Sequence, residues 1–566
     1  MRHMELYKDW LLNTKEGALY DELMSIGGDS AAIEERFYRE LEFGTAGLRG
    51  IIGAGTNRMN IPVVVRATLG LADYILEQPN GSKAGVCIAY DSRIMSAEFA
   101  RKAADVLTGR GIRVYLFSSL RSVPQLSFTL RRLSCIAGIM ITASHNPANY
   151  NGYKVYSKDG GQITPDIAGR VTEYIAKHGY FESLPEPDET LLTLLSEEAD
   201  EPYYEATMSL LSYKDLLFKK GGELPIVYTP LHGAGLVPVT TILSRIGIKN
   251  VFVVQEQAAP DGRFPTVKYP NPEDEGAFDL GFKLADSVGA SIVLATDPDS
   301  DRLGAAARRP DGSFQLLTGN QIGAILIYHL INARRISGTL SNDLLVVKSI
   351  VSTSLADSIC EHNGVAIKSV PTGFRFIAEI IERCDTLGDY KFLFGFEESY
   401  GFLAGGFARD KDAILAAMLL AEASLYFGEK GKTLIDVLND IYEEFGYYKE
   451  TVKSYTFEGK AGLEKIAHIM DMFRNSLPDS LGNSEIVRFE DYLLGLSHEG
   501  DRESKLEFPS MNMLRLILDD ESWVCIRPSG TEPKLKLYIG TKAASIGEAA
   551  ELGEALLSSL DTLINT

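Results

Sequence analysis

The sequence predicts an α/β protein built in blocks, three α/β domains followed by a C-terminal α+β domain. Three observations carry this expectation. The chain has 566 residues, more than one hydrophobic core organises, so several domains of ordinary size are expected. Short apolar runs alternate with amphipathic helical stretches over most of the chain, the rhythm of parallel βαβ units with both sheet faces covered. From about Tyr448 the rhythm changes to closely spaced strand-like runs with two helical stretches, an α+β pattern with an antiparallel sheet.

In chain order, residues 86–90 read as a buried strand. A helix near 97–107, a strand at 112–117, a helix near 124–133 and a strand at 136–141 follow. The pattern recurs with strands at 225–228, 251–254 and 291–295, and again at 344–347, 366–370 and 391–394. In the last block 455–457, 486–491, 514–518, 523–527 and 535–539 are strand-like, and 462–473 and 548–564 are helical. The expected domains are therefore residues 1–215, 216–320, 321–447 and 448–566.

Composition excludes several classes. Hydrophobic residues at 45% and charged residues at 23% are globular values, so extended disorder is not expected. A formal net charge of -21 argues against a nucleic-acid or anionic-membrane surface. A phosphorylated ligand would need a basic pocket built locally. The five cysteines lie far apart without a CxxC pair, which argues against a disulfide scaffold. The first residues lack the apolar core of a signal peptide, and no stretch approaches the roughly 18 apolar residues of a membrane span. A cytoplasmic protein with neither membrane nor nucleic-acid partner is expected.

Four motifs carry chemistry. Thr142-Ala143-Ser144-His145-Asn146-Pro147 directly follows the strand at 136–141, where α/β sheets place active sites. A Ser/Asn/Pro turn reads the same residues, and the flanking glycines of an acyl-transfer elbow are absent. In Thr296-Asp297-Pro298-Asp299-Ser300-Asp301-Arg302 three carboxylates at i, i+2 and i+4 can converge on one hard divalent cation. Magnesium takes a few carboxylate oxygens and keeps other positions for phosphate or water. A calcium loop would close on a glutamate at its twelfth position, where Arg308 stands. Gly395-Phe396-Glu397-Glu398-Ser399-Tyr400-Gly401 suits recognition of sugar hydroxyls, although a capped helix start explains it equally well. Arg527-Pro528-Ser529-Gly530-Thr531-Glu532-Pro533-Lys534 offers a guanidinium fork, hydroxyls and turn N–H groups to a phosphate.

Together these motifs resemble, in order, the four signatures of the α-D-phosphohexomutase family of phosphoglucomutases and phosphomannomutases: TASHNP, DPDSDR, GFEESYG and RPSGTEPK. The resemblance runs from Phe43 to about Tyr538. With GTAGLRG at 44–50 and ASHNPANYNGYKVY from 143, it is greatest to the branch with phosphopentomutase-type and bacterial α-phosphoglucomutase members. It implies three α/β domains and a TATA-binding-protein-like C-terminal domain around a central cleft. It also implies a phosphosugar mutase that works through a phosphoserine enzyme and a bisphosphate intermediate. Glucose 1-phosphate and glucose 6-phosphate are the expected pair, with mannose or pentose phosphates, or synthesis of a sugar bisphosphate, as alternatives.

Residue by residue, the resemblance makes Ser144 the phosphoryl carrier and a metal ligand. Asp297, Asp299 and Asp301 would hold Mg2+, with glucose 1,6-bisphosphate as activator. His145 would lie beside the serine and Arg302 beside the metal. Lys154 would be the general acid/base, its pKa lowered by cations such as Arg49, itself a cleft residue. Gly373, Glu397, Ser399 and Lys411 would meet the sugar. Arg527, Ser529, Gly530 and Thr531 would bind the phosphate that is not reacting. A small phosphosugar is the expected partner, and the protein a monomer or homodimer. Pro298 stands where many members carry Gly, Arg375 where Lys is common, and no His follows the sugar loop. Three rival readings are weighed: a metal-dependent phosphatase, an oxidoreductase on Gly233-Ala234-Gly235, whose fingerprint fails because Pro238 holds the third glycine position, and a non-catalytic binding relative, against which the complete motif set argues.

Overall fold

The computed structural model describes residues 2–45, 47–457, 459–529 and 534–565. The chain divides into two compact units, Met1–Ile322 with Phe374–Leu434, and Gly323–Gly373 with Ile435–Thr566.

The first unit holds two large sheets. One contains β1 (Leu48–Ile51), β2 (Val86–Tyr90), β3 (Val114–Phe117), β4 (Ala137–Ile141), β5 (Tyr150–Ser157) and β6 (Leu192–Leu195), in the order β1-β5-β4-β2-β3-β6. Strands β2, β3, β4 and β6 are parallel. Strands β2 and β4 are buried on both faces, which is why they read as unbroken apolar runs. The second contains β7 (Ile226–Thr229), β8 (Val251–Val253), β9 (Ile292–Thr296), β10 (Leu303–Arg308) and β11 (Phe314–Leu317), in the order β11-β10-β9-β7-β8. Here β7, β8 and β9 are parallel.

The helices that cover these sheets carry local signals. Helix Val123–Arg132 opens with a capping box between Ser122 and Gln125, with a proline in its first turn. Helix Ile61–Glu77 is capped by Asn60. Helix Ala413–Gly428 starts at Asp412, whose carboxylate accepts from Leu415 N–H. Three N-terminal helices pack through Trp10 and Phe37, with Tyr180 and Phe181 completing the aromatic cluster.

The parallel rhythm is interrupted at three places. Strand β5 runs antiparallel to β4, β10 antiparallel to β9, and Gly401–Ala404 antiparallel to Lys391–Glu397. In each case the connection is too short for the crossover a parallel partner needs, so the chain turns straight back. All three connections are chemistry-bearing motifs.

In the second unit, Leu344–Ser349 and Ala366–Val370 pair in parallel. The C-terminal sheet is antiparallel, running Tyr447–Thr456, Lys534–Ala543, Trp523–Pro528, Leu514–Leu518, Ser484–Asp491, Leu496–Glu499 and Arg502–Lys505. Helices Gly459–Asn475 and Ile546–Asn565 contribute Phe473, Leu556 and Leu560 to one core with Leu516, Val524 and Leu537. The sequence reading caught only the end of Tyr447–Thr456, because its exposed side chains alternate with half-buried ones and it lacks an apolar run. No described helix is long and apolar enough to cross a membrane.

Candidate active site

Three loops of the first unit meet, and each contains one non-glycine residue with a left-handed backbone: Ser144 at φ 52°, Ser300 at φ 53° and Tyr400 at φ 64°. That conformation costs such a residue about 1–3 kcal/mol, so neighbouring bonds must over-determine it. Backbone bonds tie the aspartate loop to the loop at Tyr400 and to two helix starts. Leu303 N–H donates to Tyr400 O at 3.1 Å, Ala413 N–H to Ser300 O at 3.3 Å, and Val123 N–H to Asp299 O at 2.9 Å. Ala234 N–H donates to Pro298 O at 2.8 Å. A Cβ on Gly233 would stand 2.4 Å from Pro298 Cα, and one on Gly235 2.5 Å from Thr296 Oγ1. Those glycines are therefore explained by close approach to the aspartate loop, with no dinucleotide required.

At the centre, Asp297, Asp299 and Asp301 are buried, with one oxygen of each within 4.8 Å of the others. Asp299 Oδ1 and Asp301 Oδ1 are buried without a hydrogen-bond partner. Burial, with Asp299 and Asp301 adding repulsion, pushes the Asp297 carboxyl well above the usual range. Burial acts the same way on Asp301, but Lys411, Lys154 and Arg302 outweigh it and hold that carboxyl low. An all-carboxylate donor set with orphaned buried oxygens fits a hard divalent cation.

Ser144 stands against this cluster. Its hydroxyl donates to Asp297 Oδ2 at 2.8 Å and lies 3.2 Å from His145 Nδ1. Burial, with Arg302 and Arg49 nearby, holds His145 well below its ordinary pKa, so its imidazole is neutral. Arg49, on β1, donates to Asn146 Oδ1 at 3.1 Å.

Two lysines reach the same carboxylates. Lys154, on β5, lies 2.8 Å from Asp299 Oδ2 and 3.6 Å from Asp301 Oδ2. Lys411 lies 3.1 Å from Asp301 Oδ2 and 3.0 Å from Asp410 Oδ1. The expected lowering of the Lys154 pKa is corrected here. Burial, Lys411 and Arg49 pull it down, but Asp299 and Asp301 outweigh them and raise it. The sequence reading counted neighbouring cations and had no means of placing β5 against the aspartate loop.

Arg302 N–H donates to Asp297 Oδ1 at 3.0 Å, and its guanidinium pairs with Glu273 at 2.6 Å. Glu397 ends its strand buried, and Ser399 is half-buried beside it. Thus Ser144, His145, Arg49, Lys154, the three aspartates, Arg302, Glu397, Ser399 and Lys411 all belong to the first unit. Gly373, Arg527 and Ser529 belong to the second. Arg527 lies on Trp523–Pro528 opposite Lys536, and Ser529 N–H donates to Lys534 O at 2.8 Å. Gly530 and Thr531 lie outside the described residues.

Sequence reasoning missed Asp410, which accepts from Tyr156 Oη at 3.0 Å and Gln162 at 3.1 Å while holding Lys411. It also missed Glu273, Asp91 and Arg93. The last two had a signal: they follow the carboxyl end of β2, a strand that was recognised without its loop being considered.

The comparisons agree with this architecture. Family models described as phosphoglucomutase/phosphomannomutase alpha/beta/alpha domains I, II and III match residues 40–180, 201–312 and 318–445. A phosphoglucomutase of Staphylococcus saprophyticus is 38% identical over 559 residues, 96% of this chain and 98% of its own. One of Staphylococcus aureus is 38% identical over 535 residues, 93% of this chain and 94% of its own. Among solved structures, the Paramecium phosphoprotein parafusin superposes with a TM-score of 0.68 at 18% identity, covering 92% of this chain and 96% of that one. A phosphoglucomutase/phosphomannomutase family protein of Burkholderia thailandensis does so with 0.66 at 17%, covering 92% and 97%.

Proposed function

Because the chain belongs to the phosphoglucomutase/phosphomannomutase family, with its three α/β/α domains and a C-terminal sheet-rich domain, we propose that it interconverts glucose 1-phosphate and glucose 6-phosphate, Ser144 carrying the phosphoryl group. The contact between the Ser144 hydroxyl and Asp297, inside a cluster of three carboxylates, carries this reading. The glucose preference rests on the near full-length phosphoglucomutase relatives.

In the proposed reaction the bond between phosphorus and Ser144 Oγ breaks and a bond from phosphorus to the sugar's free hydroxyl forms. That hydroxyl's proton ends on Oγ. Asp297, Asp299, Asp301 and Ser144 would hold Mg2+, which when bound neutralises charge on the phosphoryl oxygens. Lys154 starts protonated, so it can give a proton to Oγ and recover one from the hydroxyl. Neutral His145 orients the serine. Arg49 and Arg302 supply fixed positive charge, and phosphoryl transfer asks for little beyond positioning and charge. Glu397, Ser399, Lys411 and Gly373 engage the sugar. Arg527, Ser529, Gly530 and Thr531 clamp the idle phosphate. The bisphosphate then reorients and returns its other phosphoryl group to the serine, so trace glucose 1,6-bisphosphate primes the enzyme. A cytoplasmic enzyme acting on a small phosphosugar is consistent with the absence of a membrane-crossing helix among the described residues.

The test is turnover of glucose 1-phosphate with Mg2+ and a trace of glucose 1,6-bisphosphate, alongside mannose 1-phosphate and ribose 1-phosphate. Glucose should lead and Ser144→Ala should be inactive. A faster rate with another sugar overturns the substrate assignment, and full activity in Ser144→Ala overturns the mechanism.

A further inference from the structure

Behind Ser144 lies a buried ion pair for which the reaction has no direct use. Asp91 and Arg93 sit in the loop after β2, and neither side chain is exposed (0% each). Arg93 Nη1 donates to Pro147 O at 2.8 Å and to Tyr150 O at 3.0 Å. Its Nη2 donates to Ser144 O at 2.5 Å and also to Asn146 O. One guanidinium therefore gathers four carbonyl oxygens of a single loop. A planar fork with five donors can do this, whereas an ammonium with three donors cannot.

Asp91 completes the device. Its Oδ1 accepts from Arg93 N–H at 2.9 Å and from Ser96 Oγ at 2.8 Å. Its Oδ2 accepts from Thr142 Oγ1 at 2.6 Å, and Thr142 Oγ1 in turn accepts from Ser144 N–H at 2.8 Å. The serine's amide is thus tied through one hydroxyl to a buried carboxylate, while its carbonyl is tied to the paired guanidinium. Both bonds flank the residue whose φ is 52°. The Phe264 ring covers the guanidinium at 5.0 Å, and a Cβ on Gly262 would stand 2.4 Å from Ile94 N. The segment that carries the lid ring therefore comes from the block of the second sheet, the one that also supplies the aspartate loop.

We propose that Asp91 and Arg93, acting through Thr142, are positioning residues that hold the Ser144 loop so that Oγ faces Asp297. This deepens the carrier reading and rests on it. A loop held through its backbone carbonyls and the Ser144 amide keeps its shape whether or not the serine carries a phosphoryl group, because none of these clamping bonds involves Oγ.

The experiment measures the rate and the extent of Ser144 phosphorylation by glucose 1,6-bisphosphate with Mg2+, by intact mass. It is paired with kcat and KM for glucose 1-phosphate, in the full-length protein, Arg93→Lys, Thr142→Val and Ser144→Ala. Phosphorylation rate and kcat are expected to fall together by about 10- to 100-fold in Arg93→Lys and Thr142→Val, with KM and final extent unchanged. Thr142→Val is close in shape to the native residue and answers the question even where Arg93→Lys fails to fold. Wild-type rates in both variants, or a reduced extent at the wild-type rate, overturn the proposal, the second outcome marking a structural staple only. An unphosphorylated wild type together with an active Ser144→Ala overturns the carrier reading itself, and with it the proposal.

Discussion

The Ser144 hydroxyl donates to Asp297 Oδ2 at 2.8 Å across 153 residues of sequence. The bond joins the loop that ends β4 to the loop that ends β9, so two parallel-sheet blocks present their carboxyl ends to one another. It also brings the proposed carrier into the cluster in which Asp299 Oδ1 and Asp301 Oδ1 lack partners.

The first prediction concerns that cluster. Ligands that bind only the folded state stabilise it, by about 2.7 kcal/mol at a concentration one hundred times the dissociation constant. Mg2+ should raise the thermal unfolding midpoint of the wild type relative to EDTA, and Asp301→Asn should remove most of that increment. Scanning calorimetry on both proteins, with and without Mg2+, checks this. An equal increment in the variant would place the metal elsewhere.

A second prediction concerns Gly401. A Cβ there would stand 2.2 Å from Lys411 Cδ, so alanine must displace the lysine that bridges Asp301 and Asp410. Gly401→Ala should lower kcat by about 10- to 100-fold while shifting the urea midpoint little, because the displaced chain is flexible. Steady-state kinetics and urea titration separate the two effects.

Asp412 sets a pH dependence. It is buried beneath Tyr203, whose hydroxyl lies 2.9 Å from both carboxylate oxygens, and burial raises its pKa to about 7. The folded state therefore binds the proton more tightly than the unfolded state. Stability from this group is full below about pH 4 and declines as pH rises to about 7, by at most about 4 kcal/mol, then stays level. Asp412→Asn should flatten this part of the profile and be more stable than wild type at pH 8 but not at pH 4. Urea unfolding across that range is the measurement. A wild-type advantage at pH 8 would contradict the buried-acid account.

Thiol chemistry offers a fourth check. All five cysteines are free and buried, and burial pushes Cys135 up to about 12 and Cys87 well above its ordinary value. Since the thiolate is the reactive form, an aromatic disulfide reagent should titrate almost none of them in native protein at pH 8 and all five after denaturation. Prompt native reaction would show that the strands, helices or loop carrying these cysteines open.

Much of the site was legible because its residues lie in short contiguous runs at strand ends. Asp297, Asp299 and Asp301 announce a cation by spacing alone, and Ser144 stands at the end of an apolar strand. Lys154 is legible from the resemblance, but its ionisation is not. Its acidic neighbours lie 145 and 147 positions away, and only the antiparallel return of β5 brings them together. Asp91, Arg93, Glu273 and Asp410 escaped notice for the same reason. Each acts on a partner whose identity depends on packing; Asp91 and Arg93 had the strand end as a signal, whereas Glu273 and Asp410 are loop charges that carry no period and no motif.

By itself the sequence determined the α/β rhythm, the antiparallel C-terminal sheet and the residue types of the four motifs. Those properties reside in local periodicity, burial preference and turn chemistry, which neighbouring residues encode. The tertiary structure alone decided that the strands after the first three motif loops run antiparallel, that Asp297 accepts the Ser144 hydroxyl's hydrogen bond, and that Asp299 and Asp301 raise the Lys154 pKa. Hydrogen bonds and charge interactions act over a few ångströms of space. Only the folded chain sets which residues are that close.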